Sequence, residues 1–140
     1  MPPNVRIVRS GAAPDSMECG DTYIIEDEDG CCEHLHVLLT SPSLAGEVVT
    51  ASISTRRRRS ETLVCVHPGE HPFINSESVV PYHFSAIRTC AAIGACVKNG
   101  TARRKDKASP ELVRRMQEGL VESDFTPPGV RAYFIGITRS

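Results

Sequence analysis

The sequence predicts an α+β domain, mainly β: a small, curved antiparallel sheet or barrel with a C-terminal helix. Three observations carry this. Short β-branched segments recur between Gly20 and His67 with turn signals between them. Ser109-Pro110-Glu111 opens an amphipathic run that reaches Val121. A chain of 140 residues with 40% hydrophobic content and 24% charge fits one domain around one modest core.

Each element has its own justification. Residues 1–19 are rich in Pro, Gly, Ala and Ser and lack an apolar period, so they are expected to be poorly ordered. The domain is expected over residues 20–123, with 124–140 as a tail. A first strand spans 20–26 and closes on the acidic turn 27–30. A second, 33–40, alternates and then becomes continuously apolar, as a central strand does. Residues 41–46 form a turn-rich break. Strands at 47–53 and 61–67 follow, joined through an arginine run, which makes at least four antiparallel strands by His67.

Residues 82–97 support two readings. Ala86, Ala91, Ala92 and Ala95 favour helix, while Cys90, Ile93, Cys96 and Val97 suit a strand equally. The clearest helix spans 110–121: Ser109 caps it, Pro110 takes the first position and Glu111 sits at the positive end of the dipole. Leu112, Val113, Met116, Leu120 and Val121 mark its apolar face. Pro127-Pro128-Gly129 stops it, and Tyr133-Phe134-Ile135 docks or pairs as a last strand. There is no internal repeat.

A net charge of −1 hides an uneven distribution. Acidic residues gather between Glu18 and Asp29, basic ones in Arg56-Arg57-Arg58-Arg59 and between Arg103 and Lys107. The run Ser52-Ile53-Ser54-Thr55 leads directly into the four arginines. Hydroxyls followed by guanidiniums suit a polyanion, because the arginine fork matches phosphate geometry. The N-terminus has no apolar signal region, and no stretch approaches the roughly 20 apolar residues of a membrane span. A cytoplasmic protein without membrane contact is expected, its six cysteines being thiols. No P-loop, GxGxxG or GxSxG is present, which excludes the nucleotide-binding and α/β-hydrolase readings built on those motifs.

The order of anchors resembles a known family. A strand opens at Gly20-Asp21, a second ends Leu38-Leu39-Thr40-Ser41-Pro42, and a third closes in hydroxyls at Thr55. His71-Pro72-Phe73-Ile74 follows, then a small-residue segment ending Val97-Lys98-Asn99-Gly100, then the helix after Ser109. From Gly20 to Val121 this resembles the PemK/MazF-like group of small SH3-like barrels, many of them toxin endoribonucleases. The resemblance implies an SH3-like barrel, binding of single-stranded RNA, an endoribonuclease toxin paired with an antitoxin protein, and a homodimer. It calls for no cofactor and no metal.

The family's catalytic threonine at the end of the third strand corresponds to Thr55, with Ser54 beside it. Its arginine before the second strand has no counterpart, since the neighbourhood reads Cys32-Glu33-His34-Leu35-His36. His34 or His36 is then the candidate for proton transfer, with Arg56 or Arg57 stabilising phosphorane charge and Arg56, Arg57, Arg58 and Arg59 as the nucleic-acid-binding run. Structural readings stand beside these. Strand histidines are commonly hydrogen-bonded core residues, and an arginine run is commonly a solvated loop. A zinc site from Cys32, His34 and His36, or from Cys65, His67 and His71, lacks paired CxxC spacing. The HPFI segment reads as a loop pinned to the core by Phe73 or Ile74. A non-catalytic protein-interaction module on a small β-barrel is the alternative function.

Overall fold

The computed structural model describes residues 16–26 and 32–138. The expectations for residues 1–15 and for the acidic turn 27–30 lie outside that range. Among the described residues the elements are β1 (Thr22–Glu26), β2 (Glu33–Leu38), β3 (Glu47–Thr55), β4 (Cys65–Val66), β5 (Ser78–Val79), β6 (Ala86–Thr89), α1 (Cys90–Asn99), β7 (Ala102–Lys105), α2 (Pro110–Glu122) and α3 (Pro128–Thr138). A single 3-10 turn, Tyr82–Phe84, precedes β6. Every strand pairing is antiparallel, in the order β4-β5-β3-β2-β1-β7, with β6 beside β3.

The α+β antiparallel architecture is as the sequence predicts, and the four strands up to His67 are present. Closure is not. β4 and β7 lie at opposite ends of the order, so the sheet is open and the SH3-like barrel does not form. Helices bury the sheet instead. Leu35, Val37, Val49, Ala51 and Ile53 point to one face, where Leu112, Val113, Met116 and Leu120 of α2 and Val130 and Phe134 of α3 complete the core. Leu35, Val37, Leu112, Met116 and Leu120 are fully buried. On the opposite face a smaller cluster of Tyr23, Leu38 and Val48 is covered by Ile93 of α1.

β3 organises the sheet. One edge pairs with β2, His36 standing opposite Ser52. The other edge is divided: β6 takes Glu47 to Thr50 and β5 takes Ser54 and Thr55. The ambiguous stretch 82–97 therefore contains both a strand and a helix, divided at Thr89, whose hydroxyl accepts from the Ala92 N–H.

The expected 110–121 helix is present as α2, with Ser109 Oγ accepting from the Leu112 N–H at 3.1 Å. Tyr133-Phe134-Ile135 does not pair as a strand. It docks within α3, where Pro128 starts a helix and Val130 and Phe134, four apart, reach the core. The expected strand at 61–67 shortens to Cys65–Val66.

Gly119 permits one close approach. A Cβ there would lie 2.2 Å from Tyr82 Oη, and that hydroxyl donates to the Met116 carbonyl at 2.8 Å. Burial pushes the Tyr82 phenol well above its usual range, so it remains a neutral donor. The 3-10 turn is thereby locked onto α2.

Candidate nucleic-acid interface

Alternation along β2 puts His34 and His36 on the face away from the main core, and alternation along β3 puts Thr50, Ser52 and Ser54 beside them. At the strand end a cleft of about 580 Å³ opens between the sheet and the 71–78 loop. His34, Ser54, Thr55 and Arg57 line it together with Phe73 and Asn75. His34 Nδ1 and Ser54 Oγ are 3.3 Å apart. Three residue types singled out in the sequence thus meet: a histidine, the strand-end hydroxyls and one arginine of the run.

His36 does not join them. It sits deeper on the same face, and burial, reinforced by Arg88 and then His34, pulls its pKa down to about 4. A neutral, poorly basic imidazole at pH 7 is badly matched to proton transfer there. Arg88 is the residue that sequence reasoning missed. It comes from β6, pairs opposite Val48, and its Nε donates to Thr50 Oγ1 at 3.1 Å. Only the β3–β6 register brings it to His36.

The arginine run divides as well. Arg57 lines the first cleft and also a second of about 510 Å³ on the other side of Ser54 and Thr55, where Arg59 joins it. Arg56 and Arg58 line neither. All four are exposed, and none has an ion-pair partner among the described residues. A tight turn shapes the run, with the Arg57 N–H donating to Ser60 Oγ at 2.7 Å and the Ser60 N–H to the Arg57 carbonyl.

The zinc readings have no support in this geometry. Among the described residues no group of three or more His, Cys, Asp or Glu is placed to hold a metal ion. His71 is 2% exposed and committed at both nitrogens: Nδ1 accepts from the Phe73 N–H at 3.0 Å and Nε2 donates to the Asp106 carbonyl at 2.5 Å. His67 Nδ1 is 2.8 Å from Glu77. The HPFI loop is pinned by Ile74 and His71, while Phe73 faces the cleft. No protein-family model matches the chain, and no curated protein matches it.

Proposed function

We propose that the chain binds single-stranded RNA across the end of β3 and cleaves it there without a metal. The observation that carries this reading is the meeting of His34, Ser54, Thr55 and Arg57 in one cleft, Arg57 having no ion pair among the described residues. Arg57 supplies a guanidinium for a phosphate, and Thr55 a hydroxyl to orient it. In the tautomer whose Nδ1–H donates to Ser54 Oγ, Nε2 of His34 is the proton acceptor. The 2′-hydroxyl gives its proton to that nitrogen and its oxygen attacks phosphorus. The P–O5′ bond breaks, the 5′-oxygen takes a proton from water and His34 releases its own to solvent, leaving a 2′,3′-cyclic phosphate and a 5′-hydroxyl. His36 takes no part.

The PemK/MazF resemblance supports the same substrate, and with it an acidic antitoxin protein covering the arginines, a homodimer and a cytoplasmic setting. No helix among the described residues is long and apolar enough to cross a membrane. The test is cleavage of a long single-stranded RNA with chelator present. His34→Ala should lose on the order of 10²-fold or more in rate, the usual contribution of a positioned acid or base. His36→Ala should retain most of it. A parent that binds RNA but leaves it intact would remove the chemistry and keep the binding. A parent that binds none would favour the protein-interaction module.

A further inference from the structure

The chain has four phenylalanines, and three of them are on the surface. Phe134 is 5% exposed, but Phe84 is 63%, Phe125 61% and Phe73 39%. Phenylalanine is among the residues most often buried, so three exposed rings in so small a set need a reason. All three border the two clefts that flank Ser54 and Thr55: Phe73 the first, Phe84 and Phe125 the second. Arg57, without an ion pair among the described residues, stands at both clefts and Arg59 at the second.

The rings of the second cleft are held outward by anchored backbone. Phe84 ends the 3-10 turn that Tyr82 fastens to α2, and the His83 ring lies 3.9 Å from it, centroid to centroid. Phe125 sits in the short link between α2 and α3. Its N–H donates to Ser123 Oγ at 3.0 Å, and Thr126 Oγ1 donates to the Leu120 carbonyl at 2.7 Å. Glu61 joins the two anchors, accepting from the Tyr82 N–H and from the Ser123 hydroxyl, so the cleft's one carboxylate is already engaged. Two aromatic faces on fixed turns can accept a flat ligand with little ordering cost.

Resting on the RNA reading above, we infer that this second cleft is a nucleobase-stacking subsite: Phe84 and Phe125 hold an unpaired base while Arg57 and Arg59 neutralise the phosphates flanking it. An aromatic wall beside guanidiniums that form no ion pair among the described residues matches a base attached to a phosphodiester. Stacking on aromatic side chains also explains why single strands, whose bases are free to splay, would be the substrate. The RNA strand then passes over Thr55, with its cleavable phosphate in the first cleft and a base in the second.

The chain contains no tryptophan, so Phe84→Trp gives a single reporter. The probes are 2′-O-methyl hexanucleotides, which lack the attacking hydroxyl, and an abasic hexamer carrying the same phosphates. The normal hexamer should quench the reporter and the abasic one should not. Phe84→Ala and Phe125→Ala should each weaken the normal hexamer about tenfold, as the loss of one base–aromatic stack does, with an unchanged salt slope. Phe84→Tyr should restore affinity. Equal binding of normal and abasic hexamers, or unchanged affinity in both alanine variants, overturns the subsite and leaves RNA binding standing. No hexamer binding by the parent overturns both.

Discussion

The chain has two basic runs of similar composition, and the fold treats them oppositely. Between Arg103 and Lys107, three cations are matched to carboxylates: Arg103 to Glu33 at 3.0 Å, Arg104 to Asp21 at 2.7 Å, and Lys107 to Glu18. These residues run along β7 and just beyond it, and their partners lie on β2 and at the entry to β1. Arg56 to Arg59 occupy a turn, and none of them forms an ion pair among the described residues, although Glu61 lines the same cleft as Arg57 and Arg59. A basic run whose charge is already met belongs to the architecture. One left unmet remains available to an external anion.

Acid should have the largest effect, acting on the sheet between the two runs through His36 rather than on either run. His36 has a folded pKa near 4 against about 6.5 unfolded, so the native state binds fewer protons below pH 6.5. Stability should be whole above that value and fall as pH drops towards 4, by up to about 3 kcal/mol in total. Lys107 and Arg103 hold Glu18 and Glu33 below the usual carboxylate range, so those two pairs keep their charge through this window. Urea titrations from pH 7.5 to 4 on the parent and on His36→Gln check this. A slope that survives the substitution would assign the acid sensitivity elsewhere.

Breaking the paired run comes next. Asp21 is 3% exposed, and Arg104 both donates to it and lies 5.8 Å from the Tyr23 ring. Arg104→Gln leaves a buried carboxylate short of a donor and should cost about 1–3 kcal/mol, read as a shift in the urea midpoint at constant m-value. The smallest effect on stability belongs to the other run. Replacing Arg56 to Arg59 by Gln should change stability by no more than about 0.5 kcal/mol. The same variant should flatten the salt dependence of RNA affinity by about 0.7 in log–log slope for each phosphate no longer neutralised. A stability loss like that of Arg104→Gln would erase the contrast between the runs.

What was legible in the sequence was local. Ser109 and Pro110 announced α2 because cap, first-turn proline and apolar period all concern neighbours along the chain. β2 and β3 were legible from alternation. Tyr133, Phe134 and Ile135 suggested docking or a last strand because aromatic and β-branched residues favour sheets, but Pro128 upstream and the four-residue spacing of Val130 and Phe134 put them in a helix. The barrel expected from strand spacing failed because spacing does not say whether helices or closure will cover a sheet. Of the candidate site, Thr55, Ser54 and His34 could be placed by period alone. Arg88 could not, since it reaches His36 through a pairing between residues 38 positions apart. Nor could the exposure of Phe84 and Phe125, which depends on how Tyr82 and Ser123 are anchored.

β3 is held by three strands, and this bears on how motion is distributed at the interface. A strand bonded along both edges exchanges its amides only when much of the domain opens, whereas an exposed turn opens on its own. Ser54 and Thr55 are paired on one edge only, to β5, and the Arg56 N–H continues that ladder to the Glu77 carbonyl at 2.9 Å, so the turn proper begins at Arg57. Ser54 and Thr55 sit on paired backbone, while the exposed guanidiniums beyond them have no ion pair among the described residues to hold one rotamer. A bound strand would therefore meet rigid hydroxyls first and then immobilise the arginines, at about 0.5–1.5 kcal/mol for each side chain ordered. Under the proposed function, affinity at this surface would be limited by that ordering, with sequence tolerance as its counterpart, since mobile guanidiniums can follow a phosphate wherever the bases allow it to lie.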